Sequence, residues 1–131
     1  PKNVSGAGFI NALQLHLAER RRLGNLTVFM DVIGDQLLKP AEETGLFRIA
    51  QEALNNIVKH ARVSEAVLRL HLIEPFWMMI EDQGVGFDPQ EVQAQDRLGL
   101  ESMRERATEI GWTLQVVSSP GNGTRIQVEK D

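Results

Sequence analysis

"FRIAQEALNNIVKHA" occupies residues 47 to 61, and two kinds of residue share it with the period of a helix. At about 100° per residue, Ala50, Ala53, Leu54, Ile57, Val58 and Ala61 gather on one side. Glu52, Asn55, Asn56, Lys59 and His60 gather on the other, all within about 80° of Glu52. The spacing predicts a long helix over about residues 41–61 with one face in a core. A solvated face accounts for a polar stripe in general, yet asparagine is a mediocre helix former, and solubility alone does not select two in succession. Glu52 and Asn56, one turn apart, offer oxygens that a hard, octahedral Mg²⁺ accepts directly or through its waters. Lys59 can meet the phosphates that share such an ion, and beside this set His60, otherwise an ordinary boundary residue, becomes a candidate phosphate contact.

Downstream, residues 66–73 and 76–80 read as two strands joined by a tight Glu74-Pro75 turn. The second strand runs into "EDQGVGFDP", which would deliver Asp82 to the edge of a sheet, where a carboxylate can accept a hydrogen bond from an exocyclic amine. Gly84 and Gly86 would let a flat ring approach the backbone. The same glycines also serve as plain turn residues, with Asp88-Pro89 opening the next helix. The spacing is not that of a dinucleotide fingerprint, since a third glycine would fall at Pro89, and no phosphate-binding G-x-x-x-x-G-K-[ST] loop occurs. In "SSPGNGTRI", Asn122-Gly123 between two strand-like runs is a strong hairpin signal, and Thr124 adds a hydroxyl able to reach a phosphate oxygen.

The remaining elements frame these motifs. Residues 8–23 read as a helix with Gly24 after its end, and Arg20, Arg21 and Arg22 sit in its last turn, where cations complement the helix dipole. Residues 26–33 read as a strand, 98–110 as a helix stopped by Gly111, and 112–117 with 125–128 as a closing pair of strands. His16, among apolar helix positions, and His71, within a strand, read as structural. Strands interspersed with helices predict an α/β fold: a two-layer sandwich, its mixed sheet carrying helices on one face. The 131 residues, 42% hydrophobic and 24% charged, suit a single domain over 1–131. A net charge of -4 argues against a nucleic-acid partner, and the lack of cysteine removes disulfides, thiolate metal sites and thiol nucleophiles. No apolar run approaches the ~18 residues of a membrane span, so a cytoplasmic setting is expected. A chain that starts at Pro1 is expected to be part of something longer.

Four segments together carry a family resemblance. "FRIAQEALNNIVKHA" resembles the N box, "EDQGVGFD" the first glycine box, "RLGLESMRERA" the second, and "SPGNGTRIQV" the last glycine element of the GHKL, or Bergerat-fold, ATPase superfamily. Their order and spacing agree over roughly residues 42–129. "GLESMRERA" is similar to the form found in sensor histidine kinases that partner LuxR/NarL-type response regulators, and "GFINALQLHLAERRR" more weakly resembles the segment that follows the dimerisation helices there, within a weaker match over 1–24.

The resemblance implies ATP and Mg²⁺ as ligands. It places Asp82 on the adenine amino group, Gly84 and Gly86 around the base, Asn56 on the metal, and Glu52 beside the metal, touching it through water or orienting the attacking group. Lys59, His60 and Thr124 would touch phosphates, while Gly99 and Leu100 would begin the helix beneath a mobile lid formed by residues 90–97. Arg97 stands before "LGL" where the family often has a small residue, and no histidine lies in an "ELHD"-like phosphoacceptor context. The implied activity is therefore transfer of the γ-phosphoryl group of Mg-ATP to a histidine on a separate dimerisation domain of the same parent protein, with a response regulator downstream. The fragment is expected to be monomeric, its parent homodimeric and attached to a membrane through a segment outside this sequence. Alternatives of the same fold are a nucleotide-sensing module without phosphotransfer and an anti-sigma-type serine kinase.

Overall fold

A computed structural model describes residues 7–131; the expectations for residues 1–6, the start of the weaker N-terminal match, lie outside the described residues. The elements follow as α1 (Ala7–Arg22), β1 (Thr27–Ile33), α2 (Pro40–Asn56), a π-helical turn (Ile57–Ala61), β2 (Glu65–His71), β3 (Trp77–Asp82), α3 (Ala94–Glu109), β4 (Trp112–Ser118) and β5 (Thr124–Lys130). The five strands form one sheet in the order β1-β2-β3-β5-β4. Only β1 and β2 run parallel; the other neighbours are antiparallel. The expected mixed sheet with helices on one face is present.

Alternation along the strands makes the two layers. Leu68 and Leu70 of β2, Met78 and Ile80 of β3, Ile126 and Val128 of β5, and Trp112 and Leu114 of β4 turn to one side and are buried. There they meet Leu13 and Leu17 of α1, Leu46, Ile49, Ala53 and Leu54 of α2, and Leu100, Met103 and Ala107 of α3 in a single core. The opposite face stays open: Phe29 and Val117 are exposed on it, His71 stacks on Trp77, and Arg125 pairs with Glu81 at 3.2 Å.

Beside shifts of one or two residues at other element ends, three departures from the expected boundaries bear on the site. The long helix is α-helical only to Asn56, and the next turn is π-helical, closed by Arg62 with φ +59°. One extra residue per turn rotates Val58 out of the apolar stripe, so it is exposed, and returns Ala61 to the core. Residues 94–97, expected to belong to an irregular lid, form the first turn of α3, leaving 83–93 as the connecting loop. Finally β3 begins one residue later than expected and continues through Asp82, which pairs with Thr124.

A buried carboxylate ties the end of the sheet to α2. Glu42, 4% exposed, accepts the Lys39 backbone N–H at 2.8 Å, the Trp112 indole N–H at 2.9 Å and the Lys130 ammonium at 3.2 Å. Burial pushes its pKa up, but the three donors outweigh this and hold it below the ordinary 4.5. A folded-state pKa below the unfolded one contributes stability that is present above the unfolded value and lost as pH falls through the lowered one. Glu42→Ala is expected to cost about 2–3 kcal/mol at neutral pH, the scale of hydrogen bonds to a charged group. In chemical denaturation the gap between wild type and Glu42→Gln should narrow as the pH is brought below 4.5; a gap independent of pH would refute the ionised assignment.

Candidate functional site

Three loops meet at one end of the sheet. The Ala61 carbonyl, in the π turn, accepts the Val85 N–H at 3.0 Å, and the Val85 carbonyl accepts the Gly121 N–H at 2.6 Å. Glycine is required where they touch. A Cβ on Gly84 would collide with the Ala61 carbonyl oxygen and stand 2.7 Å from Ala61 Cβ and 2.8 Å from Asp82 Oδ1. Gly86, at φ +65°, lies so close to the Ser119 carbonyl oxygen that no side chain fits. Gly84 thus proves to be a residue of close approach without positive φ, whereas Gly86 is both. Ser118 secures the third loop: its hydroxyl donates to the Gly123 carbonyl or shares its hydrogen with Thr124 Oγ1 at 2.8 Å, and accepts the Phe87 N–H at 2.9 Å.

Beside this junction opens a cavity of about 680 Å³ between α2, the π turn, α3 and the sheet, within the ~300–1,000 Å³ of small-molecule sites. Its walls are largely apolar, with Ile57, Ile80, Val85, Phe87, Val92 and Leu100 among them. Of the residues singled out in the sequence, Asn56, His60, Asp82, Gly86, Leu100 and Thr124 line it. Glu52, Lys59, Gly84 and Gly99 do not. Gly84 lies directly behind Asp82, donating its N–H to Oδ1 at 2.7 Å. Glu52 faces α3, its Oε2 only 2.9 Å from where a Gly99 Cβ would stand, so Gly99 is the place where the two helices come closest to that carboxylate. Lys59 is exposed on the π turn.

Several wall residues carry no mark in the sequence. Asp96, in the unexpected first turn of α3, meets His60 Nε2 at 3.1 Å across the cavity mouth. Arg62, in the left-handed conformation that ends the π turn, also lines it, with Asp88 and Glu91 from the loop. Hydrophobic periodicity carries no trace of these, since none belongs to a core-facing stripe. Asn55, grouped in the sequence with the functional stripe, instead accepts a hydrogen bond from Arg20 at 2.5 Å.

Asp82 is the buried charge of the site at 4% exposure. Burial pushes its pKa up, the Gly84 N–H draws it down, and neighbouring Glu81 adds to the upward push, leaving a net rise from 3.8. One carboxylate oxygen, Oδ1, is engaged by the Gly84 N–H.

Residues 41–131 match the family described as "Histidine kinase-, DNA gyrase B-, and HSP90-like ATPase". The chain is 35% identical over 130 residues to the sensor histidine kinase LiaS of Bacillus subtilis (strain 168), covering 98% of this chain and 36% of that protein. It is 42% identical over 88 residues to the sensor protein VraS of Staphylococcus epidermidis, covering 66% of this chain and 25% of that protein. The chain thus spans about a third or less of these relatives. Among solved structures, the mycobacterial sensor histidine kinase MprB superposes with a TM-score of 0.69 at 22% identity, covering 97% of this chain and 96% of that one. The Acinetobacter baumannii histidine kinase AdeS gives 0.73 at 11% identity, covering 97% and 64%. Both show the same α/β sandwich.

The raised pKa of Asp82 fixes the sign of an apo-state prediction. A carboxyl whose folded pKa exceeds its unfolded one favours folding below the unfolded value, and that benefit is lost as pH rises through the folded value. In the ligand-free protein the ionised group is therefore a cost at neutral pH. Asp82→Asn, which keeps an acceptor for the Gly84 N–H, is expected to leave neutral-pH stability equal or higher in chemical denaturation; a loss would mean that the carboxylate supports the fold rather than a ligand.

Proposed function

The chain belongs to the histidine kinase-, DNA gyrase B- and HSP90-like ATPase family, and from that premise we propose that its cavity presents Mg-ATP for transfer of the γ-phosphoryl group to a histidine on a dimerisation domain of the same parent protein. Membership implies ATP binding. The observation that carries the orientation is that Asp82, from β3, and Asn56, from α2, open onto one cavity. Asp82 Oδ2 accepts from the adenine amino group, and Ile57, Ile80, Val85 and Phe87 exclude water around the base. Gly84 and Gly86 shape that end. His60 and Thr124, with Lys59 from the exposed side of the π turn, serve the phosphates, and Gly99 and Leu100, which lie in the second turn of α3 and do not begin the helix as expected, stand beneath the loop over residues 83–93.

The donor set suits Mg²⁺. Among the described residues no cluster of three or more His, Cys, Asp or Glu is placed to hold a metal, whereas Mg²⁺ commonly takes one or two protein oxygens and completes its shell with waters and substrate phosphates. Asn56 would hold it, with Glu52 one turn away near it through water, and the ion would supply neutralisation of phosphate charge. Catalysis of phosphoryl transfer is mostly positioning and charge stabilisation. The residues of this chain contribute by fixing the nucleotide, and Glu52 by orienting the attacking group. The acceptor histidine is supplied from outside: His16 packs edge-on against Phe47 and His71 stacks on Trp77, neither in the cavity, and His60, which does line it, is paired with Asp96 and serves the phosphates.

The names of the similar sensor proteins support a response regulator as the downstream partner, and the likeness of "GLESMRERA" alone favours one of LuxR/NarL type. We further infer one functional unit over 1–131, monomeric alone and homodimeric in its parent. Among the described residues no helix is long and apolar enough to cross a membrane; the proposed site works on the cytoplasmic side, with any anchor elsewhere in the parent.

Asp82→Asn should weaken adenine-nucleotide binding by about 1.5–3 kcal/mol, roughly tenfold or more in Kd, with calorimetry as the check; unchanged affinity would remove the base pocket from this place. Incubating the chain with Mg-ATP and the separately produced dimerisation domain should yield acid-labile phosphate on the latter. Acid-stable phosphoserine on an added partner, or nucleotide binding with no transfer, would instead support the serine-kinase or sensing alternatives.

A further inference from the structure

Among the described residues, Arg20 is a buried cation with no carboxylate paired to it. It is 9% exposed, and among the described residues its guanidinium donates from Nη2 to Asn55 Oδ1 at 2.5 Å and from Nε to His16 Nε2 at 3.0 Å. Two neutral acceptors are poor compensation for a desolvated charge, and burial pulls the Arg20 pKa down accordingly. His16, one turn earlier on α1, is held neutral by its own burial and then by Arg20, so its Nε2 is free to accept. Phe47 of α2 meets the His16 ring edge-on at 5.7 Å. The cation is thus clamped between α1 and the last α-helical turn of α2.

The place where it grips α2 is what gives the contact a role beyond packing. Asn55 precedes Asn56, and the π turn begins at the next residue, Ile57, whose own N–H is still shared in α and 3₁₀ fashion between the Ala53 and Leu54 carbonyls. Such a change of register resets which residues share a face and is frequent at functional sites. We propose that Arg20 is a positioning residue which, by holding Asn55, fixes the rotation of the α2 terminus and so aims Asn56 at the metal end of the nucleotide. This rests on the assignment of Asn56 made above. It makes α1, the segment resembling the connection to the dimerisation helices, a lever on the metal end of the site: displacing α1 withdraws the guanidinium and releases the turn that carries Asn56.

The test separates positioning from folding. Affinities of the full chain for Mg-ATP, for ATP with a chelator and for adenosine are measured by calorimetry for wild type, Arg20→Ala, Asn55→Ala and Asn55→Asp, with thermal unfolding alongside. The proposal expects Arg20→Ala and Asn55→Ala to lower the Mg²⁺-dependent gain in ATP affinity at least fivefold while adenosine affinity holds within twofold. Asn55→Asp, which keeps the acceptor and adds an opposite charge, should retain the gain. A parallel loss of adenosine and Mg-ATP binding, tracking the fall in Tm, would reduce the contact to ordinary packing and overturn the proposal, as would an unchanged gain. Failure of wild type to bind adenosine or ATP would instead sink the nucleotide assignment itself.

Discussion

The hydrogen bond from the Val85 N–H to the Ala61 carbonyl, made possible by the bare Gly84 backbone, joins the two walls of the cavity. On one side of it stands the end of the long helix, on the other the loop that leaves the central strand. A single methyl group at position 84 would force them apart. With the joint closed, a carboxylate from the sheet and an amide from the helix open onto the same cavity, and the third loop is stitched in through the Val85 carbonyl. The glycines here are consequences of packing density at a junction of three loops, and the space they leave beside them is the site.

The charge around the cavity is unequal. Asp82, Asp88, Glu91 and Asp96 line it together with His60 and Arg62, an acidic balance that, under the proposed function, disfavours an uncompensated triphosphate and suits one carried with a divalent ion. Asp82 alone is deeply buried, and burial is what makes its carboxylate a strong acceptor for a ligand donor once ionised. The protein accepts a destabilising group in the empty state, which is the usual relation between a site and its fold. The open face of the sheet takes no part in the site, and its pairs, such as Arg125 with Glu81, are exposed and worth little individually.

Much of this was legible in the sequence, for identifiable reasons. Strands with one buried face write alternation into the chain, so β2 to β5 were found within a residue or two, and Asn122-Gly123 marked the turn between the last two strands. The apolar stripe of α2 located its buried face up to Ile57. Beyond that the reading failed on Val58, because a π turn changes which residues share a face without changing their identity. The first turn of α3 was missed since its residues bury no apolar side chain, and Asp96 with it. The arginine triplet does stand in the last turn of α1, where it complements the helix dipole, and Arg20 is in addition buried and bonded to Asn55, a contact 35 residues apart that no local pattern encodes. The same holds for Glu42 and Trp112, 70 apart. The parallel pairing of β1 with β2, too, is a property of the crossover and not of either strand.

The central claim is that one nucleotide spans from Asp82 to Asn56. A crystal structure of the chain with Mg²⁺ and a slowly hydrolysed ATP analogue tests it most directly. The account predicts the exocyclic amine within hydrogen-bonding distance of an Asp82 oxygen and the metal in the coordination reach of the Asn56 amide oxygen. A nucleotide seated with its base away from Asp82, or its phosphates on the open face of the sheet, would contradict it.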